Sequence, residues 1–301
     1  MSLSMNTRLA FAPAALAALL SGACVDIVGS ELGRYIEPEE KRFSTTGKPD
    51  VDVSTFDGSI EIRPWDRSEV VVIVEKRGAS KAQTDRIEVR SNQDGNRVTV
   101  EAKMPESMRG WGFHNDRGTA RLIVSVPADS NVTAHSGDGS IDIARVNGKV
   151  ELTSGDGAIH ASEIAGQLRV HTGDGSIRVD DVNGVLDLDT GDGSVFASGK
   201  LTTVRARTGD GSISIQAGPG SAAADDWNVT TGDGSVTVEL PDGFGGELDA
   251  YTGGGRIHAD DIAVSNLRDQ DRRRTLRATL GSGGHTVRLR TGDGSITLRR
   301  F

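Results

Sequence analysis

The triplet Gly-Asp-Gly recurs with its aspartate at Asp138, Asp156, Asp174, Asp192 and Asp210, a constant step of 18 residues. Two more triplets centre on Asp233 and Asp293. Gly254, within Thr252-Gly-Gly-Gly255, holds the equivalent place in another copy, and Asp57, within Phe56-Asp-Gly58, marks an early one. A fixed period decides the fold class before any other feature. Six and four residues before each aspartate stand apolar side chains such as Val150 and Leu152, or Leu186 and Leu188. Three and five residues after it stand others, such as Ile159 and Ala161, or Val195 and Ala197. Each copy is therefore two short strands of period-2 alternation joined through a glycine-rich turn. Two such strands cannot bury their own apolar face. Copies stacked about 4.8 Å apart share one continuous interior. The chain is thus expected to be all-β, a single-domain parallel β-solenoid (β-helix) of 18 residues per rung, and crossover rules favour a right-handed coil. A left-handed hexapeptide helix fits poorly, because it wants a branched aliphatic at every sixth place.

Outward positions support parallel stacking. Five residues before the aspartate, successive copies carry Glu151, Arg169, Asp187 and Arg205, alternating in sign, and four after it come Asp142, His160 and Arg178. Solvated pairs of this kind are worth a few tenths of a kcal/mol and serve mainly to fix register. Departures from the period mark loops. Gly218 to Asp225 is an insertion, and the interval from Gly254 to Asp293 leaves room for an irregular rung through Ser265 to Thr275. Residues 69–128 lack the triplet. They read as longer strands at Val70–Val74 and Thr119–Val126 with a hairpin from Ile87 to Val100 turning at Asp94-Gly95, a wider N-terminal or capping portion of the solenoid.

Arg8 followed by the apolar run Leu9 to Leu20 has the form of an export signal and is too short to span a bilayer. Residues 1–23 are expected to be removed as a signal peptide, leaving residues 24–49 as a tether and 50–301 as the solenoid. Ser21-Gly-Ala23 before Cys24 resembles a bacterial lipoprotein box, which makes Cys24 the expected lipidation site. It departs from that box in carrying Ser21 where leucine is usual. Cys24 is also the only cysteine, which excludes an internal disulfide framework and a thiolate zinc cluster. A net charge of −9 argues against nucleic acid as a partner.

The segment Asp57-Gly-Ser-Ile-Glu-Ile62, the following Trp65-Asp66, the strand end Val124-Ser-Val-Pro127 and the serial Thr-Gly-Asp-Gly-Ser-Ile copies resemble the bacterial putative-adhesin family of β-strand-repeat envelope proteins. The resemblance spans roughly Asp50 to Phe301. It implies a β-solenoid on an exported or membrane-attached protein and brings no catalytic residues with it.

The row of aspartates invites a calcium site, yet each copy offers one carboxylate and calcium takes six to eight oxygens. The simpler reading is that each aspartate accepts a hydrogen bond from its own turn while the flanking glycines adopt positive φ. His135 and His171 share an outward place two copies apart, about 9.6 Å, too far to converge on a metal. The serine of Gly-Asp-Gly-Ser is repeated, whereas a catalytic serine is unique. No metal and no cofactor are expected. The segment Met104 to Gly118 concentrates Trp111, Phe113 and His114, a candidate ligand-binding patch for sugar or protein, with capping of the solenoid end as the competing role. From Arg256 to Phe301 ten arginines face five acidic residues. Arg272-Arg-Arg274 and Arg299-Arg300 there could meet anionic lipid headgroups, lipopolysaccharide or an acidic partner. Together these features predict a non-catalytic cell-envelope lipoprotein, anchored to membrane through its lipid, that presents its surface to an envelope glycan or protein. Self-assembly into a structural scaffold is one alternative and a carbohydrate-active β-helix enzyme another.

Overall fold

A computed structural model describes residues 35–105, 118–259, 262, 264–267 and 274–300. Apart from one helical turn at Lys81–Thr84, the regular structure among these residues is all β. Its strands join in one continuous sheet that wraps around its core until nearly closed.

The period of the sequence reappears as the register of strand pairing. Val132, Val150, Leu168, Leu186 and Val204 lie side by side in one parallel row. Ile141, Ile159, Ile177, Val195 and Ile213 form a second row on the other wall. All ten side chains are buried, and the two rows face each other across one unbroken core. Removing each from water contributes roughly 1.5–3 kcal/mol, which is why a two-strand copy folds only against its neighbours.

Each tier turns two corners. One is the Gly-Asp-Gly segment. In three consecutive tiers the other uses non-glycine residues in the left-handed region, Arg145 at φ 57°, Glu163 at 53° and Asp181 at 56°, and in the next Gly199 takes φ 140°. The residues that follow the three non-glycines, Val146, Ile164 and Val182, point inward and are buried. Arginine and glutamate at this second corner do not announce the conformation, because they seldom adopt it.

Tier order departs from chain order at both ends. The first copy is not the end of the stack. Asp50–Thr55 pairs in parallel with Asn131–Ser136 on one side and Arg97–Lys103 on the other. Its second strand, Ile60–Trp65, lies between Ile141–Ala144 and Thr119–Pro127. The strands Arg97–Lys103 and Thr119–Pro127 therefore lie outside the first copy, and Glu69–Gly78 lies beyond the second of them. The hairpin Glu88–Asp94 with Arg97–Lys103 turns through Gly95, whose φ of 57° suits a two-residue connection. On the other wall Glu69–Gly78 runs antiparallel to Thr119–Pro127.

Tyr35–Ser44 in turn pairs antiparallel with Glu69–Gly78 along its full length. Residues 35–44 are therefore strand, where the sequence read as tether. This strand shows little period because it lies on an edge. Phe43 is buried, while Glu37, Glu39, Glu40, Lys41 and Arg42 line it with charges that discourage pairing with another chain.

At the other end, the last copy in the chain is not the last tier. Thr286–Thr291 lies between Trp227–Thr231 and Gly246–Thr252, and Ile296–Arg300 lies between Val236–Leu240 and Ile257–His258. Beside the interval expected to hold an irregular rung, most of which lies outside the described residues, Thr275–Leu280 pairs antiparallel with Gly246–Thr252, and Val264–Ser265 pairs with Leu280 and Thr279. Beside the inserted copy, Trp227 fills the core with no exposure. Phe244 stands edge-on to it at 5.1 Å, and its indole N–H donates to the Thr202 carbonyl at 3.2 Å.

Candidate functional surface

The Gly-Asp-Gly corners stack into one long edge, and backbone contact dictates their composition. A β-carbon on Gly193 would stand 2.0 Å from the carbonyl oxygen of Gly175, and one on Gly191 would stand 2.5 Å from that of Gly173. The glycines of the regular corners are not among the residues with positive φ, contrary to the sequence expectation; Gly58 in the first copy is, at 133°. They are glycine because the next tier rests on them.

The turn is held by the residue two places before the aspartate, always serine or threonine. The Thr190 hydroxyl donates to the Gly175 carbonyl at 2.8 Å, Thr208 to Gly193 at 2.8 Å and Thr231 to Gly211 at 2.7 Å. The same oxygens accept from their own turns, as when the Gly211 N–H donates to Thr208 at 3.3 Å and the Gly139 N–H to Ser136 at 3.0 Å. This buried hydroxyl ladder does what the sequence assigned to the aspartates. Its signal was visible as an invariant Ser or Thr ahead of every Gly-Asp-Gly.

Apart from the half-buried Asp57, the aspartates are thereby left facing solvent. Among the described residues, no side-chain hydrogen bond or ion pair is found for Asp57, Asp138, Asp156, Asp174, Asp192, Asp210, Asp233 or Asp293, which follow one another along the edge. Neighbours about one tier apart repel by roughly 1 kcal/mol in water, less with salt. Burial, then the charge of Asp138, raises the Asp57 carboxyl above its usual range. At Gly254 the row stops; a β-carbon there would lie 2.7 Å from an oxygen of the Asp293 carboxylate, an exposed side chain that can turn aside.

The two walls carry ordered rows of charge. On one, Arg169 Nε meets Asp187 Oδ2 at 3.1 Å, and a shallow depression of about 240 Å³ opens between Asp187, Asp189, Arg205, Arg207, Asn228 and Thr230. On the other, His160 stands between Asp142 at 3.3 Å and Asp180 at 3.1 Å. Arg63 meets Asp142 at 2.7 Å, and the Arg178 guanidinium pairs with Asp180 and covers the Phe196 ring at 4.6 Å. Near the last tiers a single carboxylate, Asp249, gathers Arg290 at 2.5 Å, Arg277 at 3.4 Å and Arg288 at 3.9 Å. Burial alone would raise the Asp249 carboxyl, but hydrogen bonds and charge from Arg290 and Arg277 outweigh it and hold the group below its usual range. Tyr251, half exposed, stands beside Arg290 on the neighbouring strand.

Cys24, Trp111, Phe113 and His114 lie outside the described residues, as do Arg272 and Arg273. His135 and His171 are exposed on separate tiers. Arg299 and Arg300 pair with Glu239 at 3.7 Å and Asp242 at 2.5 Å. One group that sequence reading missed is Asp225, Asp226 and His285, brought together only because the last copy is inserted into the stack.

These features define an all-β repeat protein whose corners are closed by hydroxyl and glycine contacts and whose sides are polar. Residues 46–299 match the family described as Toastrack DUF4097, and the chain belongs to that family. Among solved structures it is similar to a lipid binding protein, described as putative, from Parabacteroides distasonis, with 16% identity, 87% of this chain and 96% of that one covered, and a TM-score of 0.44. It is also similar to a putative adhesin from Bacteroides fragilis, with 13% identity, 87% and 97% coverage and a TM-score of 0.41. A putative cell adhesion protein from Clostridium sporogenes gives 14%, 88%, 100% and 0.32. No curated protein matches the chain.

Proposed function

We propose that this chain is an exported, lipid-anchored protein of the bacterial cell envelope, built as a β-solenoid whose sides hold a protein or glycan partner without chemical turnover. One observation carries the reading: outward side chains stand in continuous rows at fixed register, as in the series Glu151, Arg169, Asp187 and Arg205. Such rows offer many weak, aligned contacts over a long stiff surface, which suits adhesion. The 18-residue offset between paired strands supports the solenoid. The apolar run before Cys24 supports export and acylation, with Cys24 as the anchor. The aromatic segment at Trp111, Phe113 and His114 supplies a candidate contact patch.

Two experiments test it. The full chain and its Cys24→Ser variant are expressed in bacteria and fractionated; the wild type is expected in the membrane and the variant in the soluble fraction. Membrane retention of the variant would refute the anchor. The mature protein is then screened on glycan and envelope-protein arrays. Saturable binding that weakens on Arg205→Glu or Trp111→Ala is expected, and its absence across both arrays would refute the adhesive role.

A further inference from the structure

Two places where the chain leaves its repeat meet on one side of the stack. The insertion after Ala217 ends at Asp225-Asp226, and the glycine-rich turn Gly281–Gly284 delivers His285. Stacking in chain order would keep these segments on separate tiers. Insertion of Thr286–Thr291 directly beside Trp227–Thr231 makes them adjacent instead.

One ligand atom from each of Asp225, Asp226 and His285 lies within 4.8 Å of the others, and all three side chains are exposed. The Thr286 N–H donates to Asp226 Oδ1 at 2.8 Å and orients that carboxylate toward the imidazole, whose Nδ1 is 3.8 Å away. The Asp226 N–H donates to Asp225 Oδ1 at 2.8 Å and holds the second carboxylate beside the first. Ligand bonds of about 2.0–2.2 Å would bring the donor atoms closer than they stand now. Exposed side chains reach that spacing by rotamer changes alone.

We propose that Asp225, Asp226 and His285 form a divalent-metal site that clasps the inserted last copy to the tier before it. Two carboxylate oxygens and one imidazole nitrogen form a donor set for a borderline first-row cation such as Zn²⁺, with water completing the shell. The all-carboxylate edge of Gly-Asp-Gly corners lacks the nitrogen ligand. Arg205, 3.6 Å from Asp225 Oδ2, pairs with that carboxylate and yields to the cation. Because the ligands come from segments that meet only in the folded chain, the cation binds the folded state and stabilises it.

The test uses the untagged full chain, stripped with chelator and titrated with Zn²⁺ by calorimetry, with melting followed in parallel. One equivalent is expected to bind, raising the melting temperature by about 5–10 °C at a hundredfold excess over the dissociation constant. His285→Ala and Asp226→Asn are expected to weaken binding at least tenfold, while Asp174→Asn leaves it unchanged. His285→Asn, with its metal-free melting point checked against wild type, separates ligand loss from misfolding. No saturable heat, binding undiminished in both His285 variants, or loss on Asp174→Asn would overturn the proposal.

Discussion

The hydroxyl of Thr252 donates to the carbonyl of Gly294 at 2.7 Å, and the two residues are 42 apart with the later one underneath. Thr291 makes the same bond to Gly234 at 2.7 Å. The corners around Asp233, Asp293 and Gly254 are therefore stacked in that order, and the end of the chain is built into the body of the sheet. An ordinary repeat array loses its terminal repeat by fraying. Here the last copy is gripped on both faces, so it comes away only when its neighbours do.

The buried hydroxyls are the first element to test. Thr190→Val keeps the volume and removes the donor to the Gly175 carbonyl. It is expected to cost about 1–3 kcal/mol, because a buried acceptor loses its partner. Thr190→Ser retains the bond and should lose much less. Urea unfolding of the three proteins measures the difference.

Glycine substitutions separate contact from backbone conformation. Gly193→Ala places a methyl against the Gly175 carbonyl and is expected to cost more than about 4 kcal/mol. Gly95→Ala meets nothing within 4 Å, and only its φ of 57° opposes it, so about 1–2 kcal/mol is expected. Equal losses at the two positions, read from thermal melts, would contradict tier contact as the cause.

Two aspartates should respond to pH with opposite sign. The Asp57 carboxyl is raised in the folded chain, by burial and then by Asp138, so the folded state holds its proton more tightly. Its stabilising contribution is full below the usual value of 3.8 and is lost as pH rises through the folded value. Asp57→Asn should therefore be more stable than wild type at neutral pH, with the advantage vanishing in acid.

Asp249 behaves the other way. Its carboxyl is held low by arginines despite burial, so its contribution is present above 3.8 and fades as pH falls through the lower folded value. Asp249→Asn should destabilise at neutral pH and converge with wild type in acid. Melting curves across pH 2 to 7, on the order of one per pH unit, check both.

The paired strands, the inward positions such as Leu168 and Ile177, and the hairpin turn, expected at Asp94-Gly95 and found one residue on at Gly95-Asn96, were legible because alternation and a two-residue glycine turn are local properties. Tier order was not. The copies present nearly identical apolar faces, so the sequence alone does not say that Thr286–Thr291 prefers Trp227–Thr231 to the strand before it in the chain. The corner at Arg145, Glu163 and Asp181 was hidden because positive φ there falls on arginine and glutamate, which rarely show it, in two of the three copies. The strand Tyr35–Ser44 was hidden because an edge strand needs few buried residues. The serine and threonine ladder was present in every copy and overshadowed by the aspartates. The Asp225, Asp226 and His285 cluster depends on tier order and shared its obscurity.

Cross-linking tests that order most directly. In a Cys24→Ser background, Thr230→Cys is combined with Arg290→Cys, its register partner, or with Tyr251→Cys, the residue that would be adjacent if tiers followed the chain. Partners on neighbouring tiers stand about 4.8 Å apart and lie within disulfide range, whereas residues two tiers apart, about 9.6 Å, do not. The Thr230 and Arg290 pair should oxidise readily to one species that migrates as a closed loop, and the Thr230 and Tyr251 pair should remain reduced. The reverse pattern would contradict the account.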